Sequence, residues 1–559
     1  MKTRLTLIAA AALFSCAGLA RAEDADAKVR HVLLVSVDGM HEQDLARCVR
    51  DRTCPNIAEL ARHGVTYTDA HTPGLSDSVP GLAALVTGGG PVSTGLFYDD
   101  VYDRTLYPGW DTNCSTQPGV EVFLQEQVGI DNLDGGALLH LDGGGDFNPQ
   151  QIPRRKTATG CVPVYPHDFI KTNTIFEVVK KNLPGSHTAW SDKHAWGTDW
   201  VNGPSGKGVD DLARTEINSI DPASVSAANP GGSDYTQSFS GNTATDPAYL
   251  HTETFDNIHL RNVLNQINGR DSTGAKAAPV PTVFGTNFQT LSVAQKALNS
   301  EGGGYVDAAF TPSHHVKAAI AYIDDAIGQM SAALKARHLR ERTLFIISAK
   351  HGQSPADYSR LKKIGDRVSP TLGTLVGGAS GSDPVTGNNV VYGSVTTDDV
   401  AFIWLADQSQ RDQAVNLLQA NTACPTVDPV SKLRVSGDGI CADNGGAVID
   451  LSKMPQKFGN PADGRTPDIM VQPNPGVIYT KSKGKDMEHG GFAPEDGHVA
   501  LLVSHPGLEH RLVRSPVGTK QVAPTIVKAL GLKPSLLDAV RKEGTAVLPN
   551  LFEDGRLEN

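Results

Sequence analysis

The chain has 559 residues, enough to bury a large core, and carries 61 acidic against 50 basic side chains, a formal charge of −11. That balance excludes bulk electrostatic binding to nucleic-acid polymers or anionic membranes, so a small anionic substrate would need local positive charge, most simply a metal ion. Seven cysteines, one of them in the first 22 residues, point to an oxidising compartment and an even set of six in the processed chain.

Lys2 and Arg4, the apolar stretch Leu5 to Leu13 and the small residues ending Ala20-Arg21-Ala22 predict a signal peptide over 1–22, cleaved after Ala22. Lipid attachment at Cys16 is disfavoured by the bulky Phe14. The expected location is periplasmic or secreted. No later stretch is apolar for long enough to span a bilayer. Short loops close most readily, which favours the pairs Cys48–Cys54, Cys114–Cys161 and Cys424–Cys441 among the fifteen connectivities that six cysteines allow.

The run from His31 to Val37 is apolar and β-branched, the pattern of a parallel strand covered on both faces, and it delivers Asp38-Gly39 at its end. Pro55 opens a helix from Asn56 to His63, which Gly64 stops. Ser78 precedes Pro80 and a short apolar helix over 81–87, so it either caps that helix or presents its hydroxyl at a positive helix end that favours an anion. Ser191-Asp192-Lys193-His194 closes a further strand and is read either as a substrate contact or as a surface turn. Val283-Phe284 is another strand, leading into Gly285-Thr286-Asn287.

Between Thr311 and Leu339, apolar residues at Val316, Ile320, Ile323, Ile327, Met330 and Leu334 give one buried face of a long helix. His314 and His315 open it and are expected to face solvent. Thr343 to Ser348 repeats the buried-strand pattern and delivers Lys350-His351-Gly352, and Val499 to Ser504 is a further strand. In open α/β sheets ligands sit beyond the carboxyl ends of the strands, so Asp38 and His351 can converge. Stretches rich in Gly, Asp, Asn and Pro near 98–167, 197–275 and 365–460 are expected to be insertions on a single domain spanning 23–559.

VSVDGM at the first strand, CPNIAELARHGV after it, Ser78-Val79-Pro80 ahead of LVTGG, FIISAKHG, RTPDIMV and EHGGFAPEDGHVALLVSHPG occur in an order that resembles the type I phosphodiesterase and nucleotide pyrophosphatase branch of the alkaline-phosphatase superfamily. The resemblance implies an alkaline-phosphatase-like three-layer α/β sandwich with a mainly parallel central sheet and a loop-rich cap. It also implies hydrolysis of phosphodiester or pyrophosphate bonds by a serine held against divalent metal, usually zinc, through a covalent intermediate. Carried over by position, Ser78 is the nucleophile and a metal ligand, Asp38 and His351 share its ion, and His489 belongs to a second. Gly81 stands where the branch usually has a phosphate-contacting asparagine. Asp496 and His498 are further ligand candidates.

The chain departs from the pattern at two points. Lys350 replaces an aspartate ligand, and Asn287 and Leu291 are aligned with an aspartate and a histidine of the second site. A lysine about 4 Å from a dication would be repelled by about 8 kcal/mol at an effective dielectric of about 20, which predicts one ion, zinc or manganese, rather than two. Lys350 then either serves catalysis by holding a phosphate oxygen in place of a metal, with Gly81 and Asn287 beside the substrate, or turns away to solvent or pairs with an acid. The substrate expected is a small phosphorylated molecule. The rival readings are a phosphomonoesterase, phosphonate hydrolase or sulfatase on the same core, and a metal-poor pseudoenzyme acting as a binding protein.

Overall fold

The computed structural model describes residues 29–124, 152–194, 197–214, 247–364, 393–420, 446–480 and 482–553, with short pieces between 216 and 235 and at 380–382, 389–391 and 556–557. The expected signal peptide and the Cys424–Cys441 pair lie outside the described residues. The other two expected disulfides are present, Cys48–Cys54 with Cα atoms 5.2 Å apart and Cys114–Cys161 with 5.6 Å.

Eight strands form the central sheet: β1 (His31–Val37), β2 (Gly64–Tyr67), β3 (Ala189–Asp192), β4 (Asp211–Arg214), β5 (Val283–Phe288), β6 (Thr343–Ser348), β7 (Leu501–Ser504) and β8 (Arg511–Val513), in spatial order β8-β2-β7-β6-β1-β5-β3-β4. Every pairing is parallel except the two made by β7, which runs antiparallel to both β6 and β2. The chain is thus an α/β protein with a large, mostly parallel sheet.

Alternation along β1 builds the two faces, because successive strand residues point to opposite sides. Val32 and Leu34 join one apolar cluster with α3 (Ser78–Thr87), α4 (Ile175–Asn182) and α8 (Val522–Ala529). Leu33, Val35 and Val37 join the other with α1 (Glu42–Arg50), α2 (Pro55–Arg62), α5 (Ala248–Ile267), α6 (Thr290–Lys296) and α7 (His314–Ala336). Burying an aliphatic strand residue this way contributes about 1.5–3 kcal/mol each, which makes these strands a stiff platform. Beside the main sheet lies a four-stranded antiparallel sheet, in spatial order Ser394–Thr397, Ala401–Trp404, Ile469–Gln472 and Ala447–Asp450.

Three details differ from the sequence expectations. The short helix begins at Ser78, because the Asp77 carboxylate caps it by accepting from the Val79 amide at 3.1 Å. The strand beginning at Val283 runs on to Phe288, so Asn287 is a strand residue paired with Ser36 and not a loop residue. His315 is not solvent-facing. It is 3% exposed, with its ring centroid 5.0 Å from that of Tyr249, because the helix turns it inward on the same face as Val316 and Ala319.

Candidate active site

The carboxyl ends of β1, β5, β6 and β3 meet at one point. The Asp38 amide donates to the Phe288 carbonyl at 3.0 Å and the Gly39 amide to the His351 carbonyl at 3.1 Å, stitching the three central strand ends together. Gly39 makes this turn at φ +81°, where a side chain would be strained and would collide with Gln295. Asp38 is therefore held with almost no freedom, and α3 brings Ser78 over it.

Ser78 Oγ lies 3.3 Å from Asp38 Oδ2 and 3.2 Å from His351 Nε2, and His351 Nε2 is 3.7 Å from the same Asp38 oxygen. The His351 Nδ1–H donates to the Gly352 carbonyl at 2.9 Å, which leaves the Nε2 lone pair facing Ser78 and Asp38. A carbonyl can only accept, so that tautomer follows from chemistry. Burial would raise the Asp38 carboxyl, but the charges of Lys350, His351 and Lys193 outweigh it and hold it well below the ordinary carboxylate range. Burial lowers His351, against the opposing pull of Asp38.

The cation at the Ser78 hydroxyl is Lys193. Its Nζ donates to Ser78 Oγ at 2.9 Å and to Asp38 Oδ2 at 3.4 Å. Lys350 is committed elsewhere: its ammonium donates to both oxygens of Asp192 at 2.9 Å, and both side chains are buried. The pairing with an acid is thus the outcome at Lys350. Asp192 is fixed in turn by the Trp190 indole N–H at 3.2 Å. The cluster Ser191-Asp192-Lys193-His194 carries two of these partners, and its His194 pairs with Glu216 at 2.9 Å.

Gln289, which the sequence reading passed over, donates to Asp38 Oδ2. It is positioned by Asp256, which accepts from the Gln289 and Thr290 amides at 2.8 Å each and whose carboxyl burial pushes up to about 7. Asn287, two residues earlier, is buried with both amide atoms unpaired and makes no hydrogen bond to Ser78, Asp38 or His351. Leu291 packs in the apolar cluster on the other face of the sheet. Gly81 donates its amide to the Asp77 carbonyl at 2.9 Å and abuts the Lys350 backbone, where a Cβ would come within 2.1 Å of the carbonyl oxygen. The structure gives this glycine a packing reason, the close approach of α3 to the end of β6.

His489 stacks near His351, with ring centroids 4.1 Å apart. Its Nδ1 faces Asp77 Oδ2 at 3.8 Å, and both atoms lack a hydrogen-bond partner. Burial, then the charge of Lys296, hold His489 well below its ordinary range, so it is a neutral imidazole. Ligand atoms of Asp398, Glu488 and His489 lie within 4.8 Å of one another. Glu488 already pairs with Lys296 and Lys485 at 2.8 Å each, and Asp398 accepts from the Tyr98 hydroxyl at 2.8 Å. Asp496 sits beside Asp399 and Gly491, its carboxyl pushed up to about 7 by burial. His498 makes its hydrogen bond to the Thr68 carbonyl, at 3.1 Å, in company with His71.

The donor set suits one divalent metal. Asp38 Oδ2, Ser78 Oγ and His351 Nε2 form a triangle with edges of 3.2, 3.3 and 3.7 Å. The edge of a tetrahedron around zinc is about 3.3 Å for bonds of about 2.0–2.1 Å. The second position is poorer: His489 and Asp77 supply an orphaned pair, while the neighbouring Glu488 is neutralised by two lysines.

The fold has well-matched relatives of low sequence identity. The murine ectonucleotide pyrophosphatase/phosphodiesterase 5 superposes with a TM-score of 0.51 at 12% identity, covering 90% of this chain and 96% of the other. The human counterpart gives 0.51 at 14%, covering 90% and 95%. The alkaline phosphatase PafA gives 0.55 at 12%, covering 90% and 96%. No curated protein matches in sequence. The family description of type I phosphodiesterases/nucleotide pyrophosphatases matches residues 32–497, a span that contains Asp38, Ser78, Lys193, His351 and His489, and the chain belongs to that family of phosphoric ester hydrolases.

Proposed function

We propose that this chain is an exported hydrolase of small phosphodiester or pyrophosphate substrates, with Ser78 as its nucleophile, and that it works with one divalent ion rather than two at the centre. The supporting observation is the convergence of Asp38, His351 and Lys193 on Ser78 Oγ within 3.4 Å of their shared atoms. Asp38, Ser78 and His351 would hold the ion, zinc or manganese, with the Lys193 ammonium turned from Ser78 and Asp38 toward the substrate, since the ion needs the two atoms that the ammonium now contacts, and His489 with Asp77 would take any second one. When bound, such an ion lowers the pKa of a serine hydroxyl and neutralises charge on phosphate oxygens.

The chain's own residues then divide the work. Asp38, kept ionised, orients the Ser78 hydroxyl, and Oγ attacks phosphorus in line with the departing oxygen. The Ser78 proton passes to solvent, the departing oxygen leaves with the bonding pair and takes a proton from water as a phosphoseryl ester forms, and water then hydrolyses that ester to free the Ser78 hydroxyl and the phosphate product. Lys193, 13% exposed at its side chain, reaches the site from β3 and holds a phosphate oxygen as a point charge. The positive end of α3 adds to it. Asn287 and Gly81 stand behind this arrangement, the first as an unpaired buried amide and the second as the contact that lets α3 approach β6. Domain organisation follows the sequence reading, a signal peptide over 1–22 and one catalytic domain over 23–559 whose insertions select the leaving group. Among the described residues no helix is long and apolar enough to cross a membrane.

A nucleotide substrate is supported by the murine relative, whose inactivated form is described in complex with AMP. The test is a panel of nitrophenyl phosphodiesters, phosphomonoesters, phosphonates and sulfates assayed with the wild-type protein and Ser78→Ala. Phosphodiester turnover that Ser78→Ala abolishes, on the order of 10³-fold or more, is the expected result. Activity surviving in that variant refutes the serine mechanism, and no turnover of any ester with zinc or manganese supplied favours a binding protein.

A further inference from the structure

Two histidines and an aspartate outside the Ser78 site remain unused by this chemistry. Ligand atoms of Asp69, His71 and His498 lie within 4.8 Å of one another. We propose that these three residues form a second, separate site for a zinc-class ion, one that fastens the segment leading to Ser78 onto the segment leading from His489.

Hydrogen bonding prepares both rings as ligands. His498 Nε2 lies 3.1 Å from the Thr68 carbonyl, which can only accept, so Nε2 carries the proton and Nδ1 keeps its lone pair. His71 Nε2 faces Asp69 Oδ1 at 2.6 Å across a shared proton, so an ion that displaces that proton takes both atoms as ligands at once. Metal-binding imidazoles characteristically donate their other N–H to a carbonyl or carboxylate, which sets the tautomer and raises ligand basicity. The rings already stack, with centroids 5.0 Å apart and planes 19° from parallel. His71 and Asp69 are 45% and 35% exposed at their side chains, so they can rotate the remaining distance and an ion can enter from solvent.

The position gives the site a purpose. Residues 71 and 498 form an antiparallel bridge, the Thr72 amide donates to the Gly497 carbonyl at 3.0 Å, and the Gly490 amide donates to the Ser76 carbonyl at 2.9 Å. The two segments are therefore fastened from the His71–His498 end to the Ser76–Gly490 end, next to Ser78 and His489. An ion at the outer end would hold both in place without touching substrate.

The experiment uses the full-length protein carrying Asp38→Asn, which weakens the Ser78 metal site, and compares it with the same protein also carrying His71→Gln and His498→Gln. Zinc chloride is the probe, with zinc per chain read by elemental mass spectrometry after gel filtration and affinity by titration calorimetry. The expected result is one zinc equivalent in the first protein that is lost in the second, with His71→Gln alone weakening zinc binding at least about tenfold. Saturating zinc should raise the melting temperature of the first protein and leave that of the second unchanged. Equal zinc content and equal zinc response in the two proteins overturn the proposal, and circular dichroism confirms that both are folded. Loss of zinc in Asp38→Asn alone would assign all bound metal to the Ser78 site and overturn it too.

Discussion

Two strand ends, separated in the sheet by β1 and β5, each present a lysine, and their fates differ. At the end of β6, Lys350 is buried and bound by both oxygens of Asp192; at the end of β3, Lys193 is partly open to solvent and rests on Ser78 and Asp38. The lysine that the sequence resemblance aligned with a ligand position is paired with a buried acid, and the lysine it aligned with none is the one in contact with Ser78. What separates them is Asp192, a buried carboxylate that captures the nearer ammonium and leaves the other free to reach the nucleophile.

The sharpest way to break this comparison is to neutralise each lysine in turn. Lys193→Ala should cut kcat for a phosphodiester by roughly 10²–10³-fold, the size of effect seen when one donor to a developing oxyanion is removed, with the melting temperature little changed. Lys350→Met should act on stability instead. It leaves Asp192 buried without its cation, a change that costs about 3–5 kcal/mol when a buried pair loses one partner. Denaturant unfolding beside initial rates separates the two, and a large loss of kcat with unchanged stability in Lys350→Met would return the catalytic role to Lys350.

A smaller effect sharpens the same point. Replacing both partners, Asp192→Asn with Lys350→Met, should recover most of the stability lost in Lys350→Met, because a buried pair adds little net stability once no charge is stranded. A double variant that is as unstable as the sum of the single variants would show instead that Asp192 does its main work through Trp190 or the Lys193 amide, to which it is also bonded at 3.2 and 2.8 Å.

Much of the frame was legible in the sequence. The strand at His31–Val37, the strand at Thr343–Ser348, the long helix and two short-range disulfides follow from local pattern, since a strand covered on both faces must be apolar throughout and a short loop closes at low entropic cost. Asp38, Ser78 and His351 were legible because each follows a strand or opens a helix. Gln289 was not, because the strand runs three residues beyond Gly285 and so carries the polar residue that meets Asp38 further along than expected. Asp77 was hidden for a different reason: nothing in Ser76-Asp77-Ser78 says which of three good capping residues will cap. The roles of Asp398 and Glu488 depend on an insertion folding back against His489, a contact that no local pattern encodes.

The smallest expected effect concerns pH, and it contrasts the Ser78 site with a histidine far from it in role. His505 is lowered to about 4 by burial and then by the charge of Arg340, and its Nδ1 accepts from the Gly507 amide at 3.1 Å, a bond that only the neutral ring can make. Its folded value lies below the unfolded one of 6.5, so between about 4 and 6.5 the unfolded chain binds the extra proton and stability falls as the pH is lowered through that window. His505→Gln, which keeps a polar group but does not titrate there, should flatten that part of the stability–pH curve by up to about 3 kcal/mol at its acid end. The raised carboxyls of Asp256 and Asp496 act with the opposite sign over the same range, since the folded chain then holds the extra protons and stability falls as the pH rises. The useful readout is consequently the difference between the two proteins' denaturation midpoints at each pH, not either curve alone. A difference that does not vary with pH would place the His505 ring in its protonated form within the fold, and the Gly507 amide would then need another acceptor.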